Sequence, residues 1–210
     1  MTTATTSALC SELGTRFVVA VVRSPTADLA VSTAEALMRG GITAVEITFT
    51  TPGAASAISR LAALRGLMIG AGTVVDREQS HQAIRAGAAF LVSPGTYPDV
   101  LDAAEEEGVL AIPGVFTPSE IGAVCHRVPL LKLFPASLGG PGLLRSLKGP
   151  YPGLRFMPSG GVTLENVTDW RDAGAFAVGA GGDLCSERTI RTGDFEAIER
   201  QARRYAEVLT

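Results

Sequence analysis

The sequence predicts an α/β protein: a single-domain (β/α)8 TIM barrel with a short N-terminal helix. Three observations carry this prediction. Short apolar runs alternate with stretches of helical periodicity, which implies a parallel sheet. Eight such units occur, spaced by roughly 20–26 residues, and eight in one chain imply closure into a barrel. The chemically unusual residues fall at the C-terminal ends of the apolar runs, where barrels of this kind keep their active sites. At 210 residues the chain is somewhat shorter than the ~250 typical of the fold. The alternative is an open doubly wound sheet, which carries a glycine-rich loop after its first strand. Here that position reads Val22-Arg23-Ser24, and the paired glycines come late. Residues 1–16 are assigned to an N-terminal segment with a short helix and residues 17–210 to the barrel.

Taken in order, the first dozen residues are small and polar and read as a frayed end entering that helix. Residues 17–22 form a buried strand, and Ser24-Pro25 has the order of an N-cap followed by a first-turn proline. Helical periodicity then runs from Ala27 to Met38 and stops at Gly40-Gly41. A strand over 42–49 precedes Thr51-Pro52 and a helix to about Leu64. A strand over 67–71 precedes Asp76 and Gln79, a cap with glutamine three residues on, and a helix ending near Gly87. A strand over 88–92 runs into Ser93-Pro94-Gly95 and a helix ending near Gly108. A strand over 109–112 leads to Thr117-Pro118-Ser119-Glu120, a capping box with proline at the first helical position. A strand over 129–134 leads to Gly139-Gly140 and a helix to about Leu147. A strand over 154–157 leads to Ser159-Gly160-Gly161, with Thr163 capping another helix. A last strand over 175–179 reaches Gly181-Gly182, and a helix over 195–209 closes the chain.

Composition excludes several classes of function. Hydrophobic residues make up 46% and charged residues 19%, enough for a core and too little charge for a disordered chain. The formal net charge of -3 comes without a basic patch, so nucleic acid is not an expected partner. Three cysteines at unrelated spacings (Cys10, Cys125 and Cys185) argue against a disulfide framework and for a reducing compartment. No signal peptide or membrane-length apolar run is read, and the expectation is a cytoplasmic protein with no membrane partner. His81 and His126 read as surface residues, Cys125 and Cys185 have no evident base partner, and Trp170 reads as a packing residue. No set of His, Cys, Asp or Glu has metal-site spacing, so no metal is expected.

The chemistry points instead to a lysine. Lys132 and Lys148 are the only two in the chain, and Lys132 stands inside the apolar run Leu130-Leu131-Lys132-Leu133-Phe134-Pro135. Lysine is rarely buried without a partner or a task, and a desolvated amine becomes nucleophilic. Strand parity sends Val45, Ile47 and Phe49 toward the helices and Glu46 and Thr48 into the barrel, and it puts Lys132 and Phe134 on one face. An inward lysine and glutamate near the catalytic end divide the work of carbonyl chemistry: the amine forms a Schiff base and the carboxylate shuttles protons. A buried ion pair that satisfies only itself is the competing reading, and such pairs are costly. Ser159-Gly160-Gly161 and Gly181-Gly182 follow the seventh and eighth strands, where bare backbone commonly binds phosphate. Gly70-Ala71-Gly72-Thr73 and Ser93-Pro94-Gly95 line the same rim, and taken alone each reads as turn chemistry.

Several of these motifs occur together, in order, in one family. Val45-Glu46-Ile47-Thr48, Gly70-Ala71-Gly72-Thr73-Val74, Ser93-Pro94-Gly95, Ile112-Pro113-Gly114-Val115, Thr117-Pro118-Ser119-Glu120, Lys132-Leu133-Phe134-Pro135-Ala136, Pro158-Ser159-Gly160-Gly161-Val162 and Val178-Gly179 closely resemble the 2-keto-3-deoxy-6-phosphogluconate (KDPG) and 4-hydroxy-2-oxoglutarate (KHG) aldolases. The resemblance runs from about Phe17 to about Leu184 and implies a homotrimeric class I aldolase acting on a small-molecule substrate, with no cofactor beyond the covalent Schiff base on Lys132. It implies Glu46 as general acid/base, Thr73 and an arginine on the pyruvate carboxylate, and Phe134 and Pro94 around the pyruvyl group. It implies Ser159, Gly160, Gly161, Gly181 and Gly182 at the phosphate. A phosphogalactonate-type aldolase of the same family and a non-aldolase phosphosugar-binding barrel stand as alternatives. Two positions depart from the family pattern. Thr50 stands where many members carry an arginine, a place that Arg23 can fill by reach. Gly182-Asp183 stands where relatives often have Gly-Ser, so a hydroxyl for phosphate is missing.

Overall fold

The strands carry apolar residues on both faces, so they persist only between two covering layers, as parallel strands do. The computed structural model describes residues 3–209, with side chains from residue 6 onward. The chain order is α1 (Thr3–Arg16), β1 (Val18–Val22), α2 (Ala27–Arg39), β2 (Ala44–Thr48), α3 (Ala54–Ala62), β3 (Met68–Gly72), α4 (Arg77–Arg85), β4 (Phe90–Val92), α5 (Pro98–Glu107), β5 (Leu110–Ile112), β6 (Gly114–Val115), α6 (Pro118–Val124), β7 (Leu131–Leu133), a 3-10 turn (Ala136–Leu138), α7 (Gly140–Lys148), β8 (Phe156–Pro158), α8 (Val167–Asp172), β9 (Val178–Ala180), α9 (Glu187–Thr192) and α10 (Phe195–Leu209).

Hydrogen bonding divides these strands into two parallel sheets where one closed sheet was expected. A curled sheet of six runs β5-β4-β3-β2-β1-β9, and a second of three runs β6-β7-β8. Pro113 explains one seam. It has no N–H to give a ladder. The segment therefore pairs with β4 before Pro113 and with β7 after it, while the Pro113 carbonyl accepts the Lys132 N–H at 2.9 Å. At the other seam, Ser159, just past β8, makes one isolated bridge to Gly179 of β9, and Phe176 N–H donates to Phe156 O at 2.9 Å.

Side-chain alternation sorts the core into two clusters. Val18, Ala20, Val22, Val45, Ile47, Leu131 and Leu133 pack outward against the helices. Val19, Ala44, Met68, Phe90, Leu110, Leu130 and Met157 pack inward, and Cys10 and Leu13 of α1 join them. The N-terminal segment is thus helical from Thr3 to Arg16, longer than its polar composition suggests. Arg16 reinforces this docking by donating to Thr43 O and Gly66 O, both at 3.0 Å.

The caps expected at Asp76 and Thr117 are present: Asp76 Oδ1 accepts Gln79 N–H at 2.8 Å, and Thr117 and Glu120 form a reciprocal capping box. Two other caps differ. Thr26, not Ser24, caps α2 and accepts Leu29 N–H at 3.2 Å: the helix starts only at Ala27, and the Ser24 hydroxyl donates instead to Thr26 O at 2.9 Å. Thr163 does not cap α8; its N–H donates to Asn166 Oδ1 at 2.9 Å, and Asn166 is the N-cap. The short helix α9, capped by Ser186, has no counterpart in the periodicity reading.

Candidate active site

The interior changes character toward the C-terminal ends of the strands. Above the apolar floor of Ala44, Met68, Leu130 and Met157, the inward positions become Glu46, Lys132 and Ser159, one alternation further along each strand. They open into a cavity of about 470 Å³. Its walls include all eleven residues singled out from the sequence: Lys132, Glu46, Arg23, Thr73, Pro94, Phe134, Ser159, Gly160, Gly161, Gly181 and Gly182. His81 and His126 are not among its lining residues. Among the described residues, no group of three His, Cys, Asp or Glu could hold a metal ion.

Lys132 Nζ stands 4.0 Å from Glu46 Oε1 and 5.1 Å from the centroid of the Phe134 ring. Both side chains are buried, and among the described residues neither Glu46 oxygen has a hydrogen-bond partner. Burial pushes the Glu46 carboxyl above its ordinary range, against the opposing pull of Lys132 and then Arg23. A buried amine beside an otherwise unpartnered carboxyl can add to a carbonyl and exchange protons with the adduct. Gly72 makes room for this carboxyl: a Cβ there would lie 2.5 Å from Glu46 Oε1. That role is invisible in sequence, because Gly72 reads as one more turn glycine.

Thr73, immediately after Gly72, has φ of 57°, a conformation that β-branched residues rarely adopt and that concentrates at ligand sites. Gly160 and Gly161 are both left-handed, at φ of 82° and 93°, and a Cβ on Gly161 would meet Ser137 Cβ at 2.7 Å. Ser137 N–H donates to Gly160 O at 2.8 Å, so the turn after Lys132 rests on the glycine loop. Ser159 is buried, and its hydroxyl donates to Gly179 O at 3.4 Å. Nothing lies within 4 Å of a Cβ built on Gly182, which leaves that stretch of backbone open to a ligand.

Asp183 lies at the cavity margin with its carboxylate engaged elsewhere. Its Oδ2 accepts Tyr205 OH at 2.8 Å, Leu164 N–H at 3.0 Å and Gln201 Nε2 at 3.2 Å. These bonds tie the loop after β9 to the loop after β8 and to α10. Cys185 is also on the wall, but burial pushes its thiol up to about 12, so it stays protonated at neutral pH. A second cavity of about 440 Å³ lies at the N-terminal ends of β5 and β7. Its cation, Arg127, is held by Asp102 at 2.7 Å and Glu105 at 2.9 Å.

A family model described as KDPG and KHG aldolase matches residues 10–201. The chain belongs to this aldolase family. Over 204 residues it is 39% identical to the 2-dehydro-3-deoxy-phosphogluconate aldolase of Pseudomonas aeruginosa, covering 96% of this chain and 91% of that one. It is 34% identical over 200 residues to the KHG/KDPG aldolase of Escherichia coli K12, covering 94% of each. Among solved structures, the KDPG aldolase of Legionella pneumophila, with pyruvate captured as a covalent carbinolamine, superposes with a TM-score of 0.85 at 30% identity, covering 94% of this chain and 96% of that one.

Proposed function

We propose that this chain is a class I aldolase that cleaves a 2-keto-3-deoxy-6-phospho sugar acid such as KDPG, and 4-hydroxy-2-oxoglutarate, through a Schiff base on Lys132. The observation that carries the reading is the buried Lys132 amine 4.0 Å from a buried, otherwise unpartnered Glu46. Lys132 Nζ adds to the C2 ketone, and the carbinolamine loses water to give an iminium. The C4 hydroxyl gives up its proton as the C3–C4 bond breaks, and the bond pair moves into the iminium to form an enamine. Glyceraldehyde 3-phosphate or glyoxylate departs. The enamine is protonated at C3, and water releases pyruvate from the lysine. Glu46 exchanges the protons, a role suited by a carboxyl whose affinity for protons burial has raised.

In this reading Arg23 and Thr73 face the pyruvate carboxylate, and Pro94 and Phe134 enclose its methyl end. Ser159, Gly160, Gly161, Gly181 and Gly182 receive the phosphate. The two sheets are arcs of one (β/α)8 barrel, supported by the Ser159↔Gly179 bridge at one seam and chain continuity through Pro113 at the other. The working form is a cytoplasmic homotrimer, as the family resemblance implies.

The test is borohydride reduction with pyruvate, followed by peptide mass spectrometry. The sequence makes the result simple to interpret, because Lys148 is the only other lysine and its Nζ is bonded to Gly174 O at 2.9 Å. The expected adduct is on Lys132. An adduct on Lys148, or trapping that survives Lys132→Ala, overturns the mechanism.

A further inference from the structure

Three threonines of one segment engage three consecutive residues at the end of the neighbouring strand. Thr48 Oγ1 donates to Val22 O at 3.2 Å, Arg23 Nη1 donates to Thr50 Oγ1, and Ser24 N–H donates to Thr51 Oγ1 at 3.0 Å. Thr48 Oγ1 and Thr50 Oγ1 are themselves 2.9 Å apart. The direction of that contact follows from its two ends. A carbonyl has no proton, so Thr48 must spend its own on Val22 O. A guanidinium has no acceptor, so Thr50 must receive from Arg23. Only one arrangement remains between them: the Thr50 hydroxyl donates to Thr48. The chain therefore runs Arg23 Nη1–H to Thr50, Thr50 O–H to Thr48, and Thr48 O–H to Val22 O. It ends on the residue that precedes Arg23, so the root and the head of the same side chain are fixed.

Arg23 is exposed as a residue and would otherwise sample many rotamers. The Thr50 bond takes one of the five N–H donors that a guanidinium carries, and the head group still lines the cavity. We propose that Thr50 is a positioning residue for substrate binding: it holds Arg23 at the carboxylate end of the cavity and so substitutes, at second hand, for a cation at its own position. This rests on the reading of Arg23 as the carboxylate partner. Preorganisation of this kind acts on binding, because the ordering cost is met before the anion arrives.

The experiment measures the pyruvate concentration that gives half-maximal borohydride inactivation, and the maximal rate, for wild type, Thr50→Val, Thr50→Ser, Arg23→Ala and the double variant Arg23→Ala/Thr50→Val. Loss of a hydrogen bond to a charged group predicts that Thr50→Val raises the half-saturating concentration by about tenfold. The maximal rate changes far less, and Thr50→Ser, which restores the hydroxyl, returns the value to near wild type. Arg23→Ala raises it at least as much, and adding Thr50→Val to Arg23→Ala has no further effect. Two independent, multiplying effects in the double variant overturn the proposal, as does Thr50→Val with wild-type binding or Thr50→Ser without rescue. If Arg23→Ala binds pyruvate normally, the carboxylate reading itself fails. If Arg23→Ala weakens binding and Thr50→Val does not, only the role of Thr50 fails. Unchanged thermal unfolding of Thr50→Val separates either outcome from a folding defect.

Discussion

Replacing Gly72 with alanine asks a single methyl group to report on the position of the Glu46 carboxyl. Gly72 lies in β3, where an alanine backbone is unstrained, so the effect is purely one of space. The new Cβ would stand 2.5 Å from Glu46 Oε1, 2.9 Å from Cδ and 3.2 Å from Cγ. Ordinary contact begins near 3.4 Å, so the oxygen must withdraw by about 0.9 Å. Glu46 is buried and cannot swing into solvent; it must change its distance to Lys132, now 4.0 Å. A misplacement of about 1 Å at a reacting group costs on the order of a hundredfold in rate. We expect kcat for aldol cleavage to fall by about that factor. Lys132 is untouched, so borohydride with pyruvate still traps the protein to completion. Gly70→Ala is the control. Its Cβ would lie 2.3 Å from the Phe90 ring in the apolar floor, so it is expected to lower thermal stability and leave trapping and turnover in place. Assays are steady-state cleavage coupled to pyruvate detection, trapping followed by intact mass, and thermal unfolding. If Gly72→Ala keeps kcat within about twofold of wild type, Glu46 is not held where proton transfer requires it, and the reasoning fails.

Three further outcomes are expected. Glu46 is raised in the folded protein, so folding favours its protonated form. That contribution to stability is fully present below the unfolded carboxyl range and is lost as pH rises through the folded value. Urea unfolding across that window should show a downward slope with pH that Glu46→Gln reduces, and the acid limb of kcat should vanish in the same variant. Tyr205→Phe removes a 2.8 Å bond to Asp183, and loss of a hydrogen bond to a charged group predicts a cost of about 1.5–3 kcal/mol by denaturant titration, with weaker binding of a phosphorylated substrate than of pyruvate. Cys185, buried and pushed up to about 12, should resist alkylation at pH 8 in the native state and react on unfolding.

The parts of this molecule that follow from local chemistry were readable along the chain. Alternation alone put Glu46 opposite Val45 and Ile47 and put Lys132 beside Phe134, because a strand of period two leaves no other choice. The Thr117 to Glu120 box could be read for the same reason: its partners are three residues apart. What escaped depends on contacts between distant segments. Ser24 looks like a cap, but its backbone N–H is anchored to Thr51 of the next unit and the helix starts two residues later, at Ala27 behind Thr26. Gly72 and Thr50 act on side chains that are 26 and 27 positions away. The seam at Pro113 was hidden because the predicted strand stops at Ile112 and the two residues of β6 beyond the proline are too few to register as a strand, just as α9 is too short for periodicity to register. Gly182-Asp183 departs from the family pattern in sequence, but only the fold shows that α10 and Leu164 draw the Asp183 carboxylate aside.

The N-terminal helix covers the floor of the interior. Cys10 and Leu13 are fully buried in the apolar floor, on the side of the cavity opposite the glycine loops that follow β8 and β9. In the proposed reaction, pyruvate stays bonded to Lys132 above this floor until water hydrolyses the iminium, while the aldehyde fragment is free once the C3–C4 bond breaks. The aldehyde fragment, nearest the mouth, must depart before pyruvate is released. In the reverse direction, pyruvate must load first. Product-inhibition patterns should accordingly be those of an ordered enzyme, the covalent bond to Lys132 setting the sequence and the helix-covered floor leaving the glycine-loop side as the approach for the aldehyde.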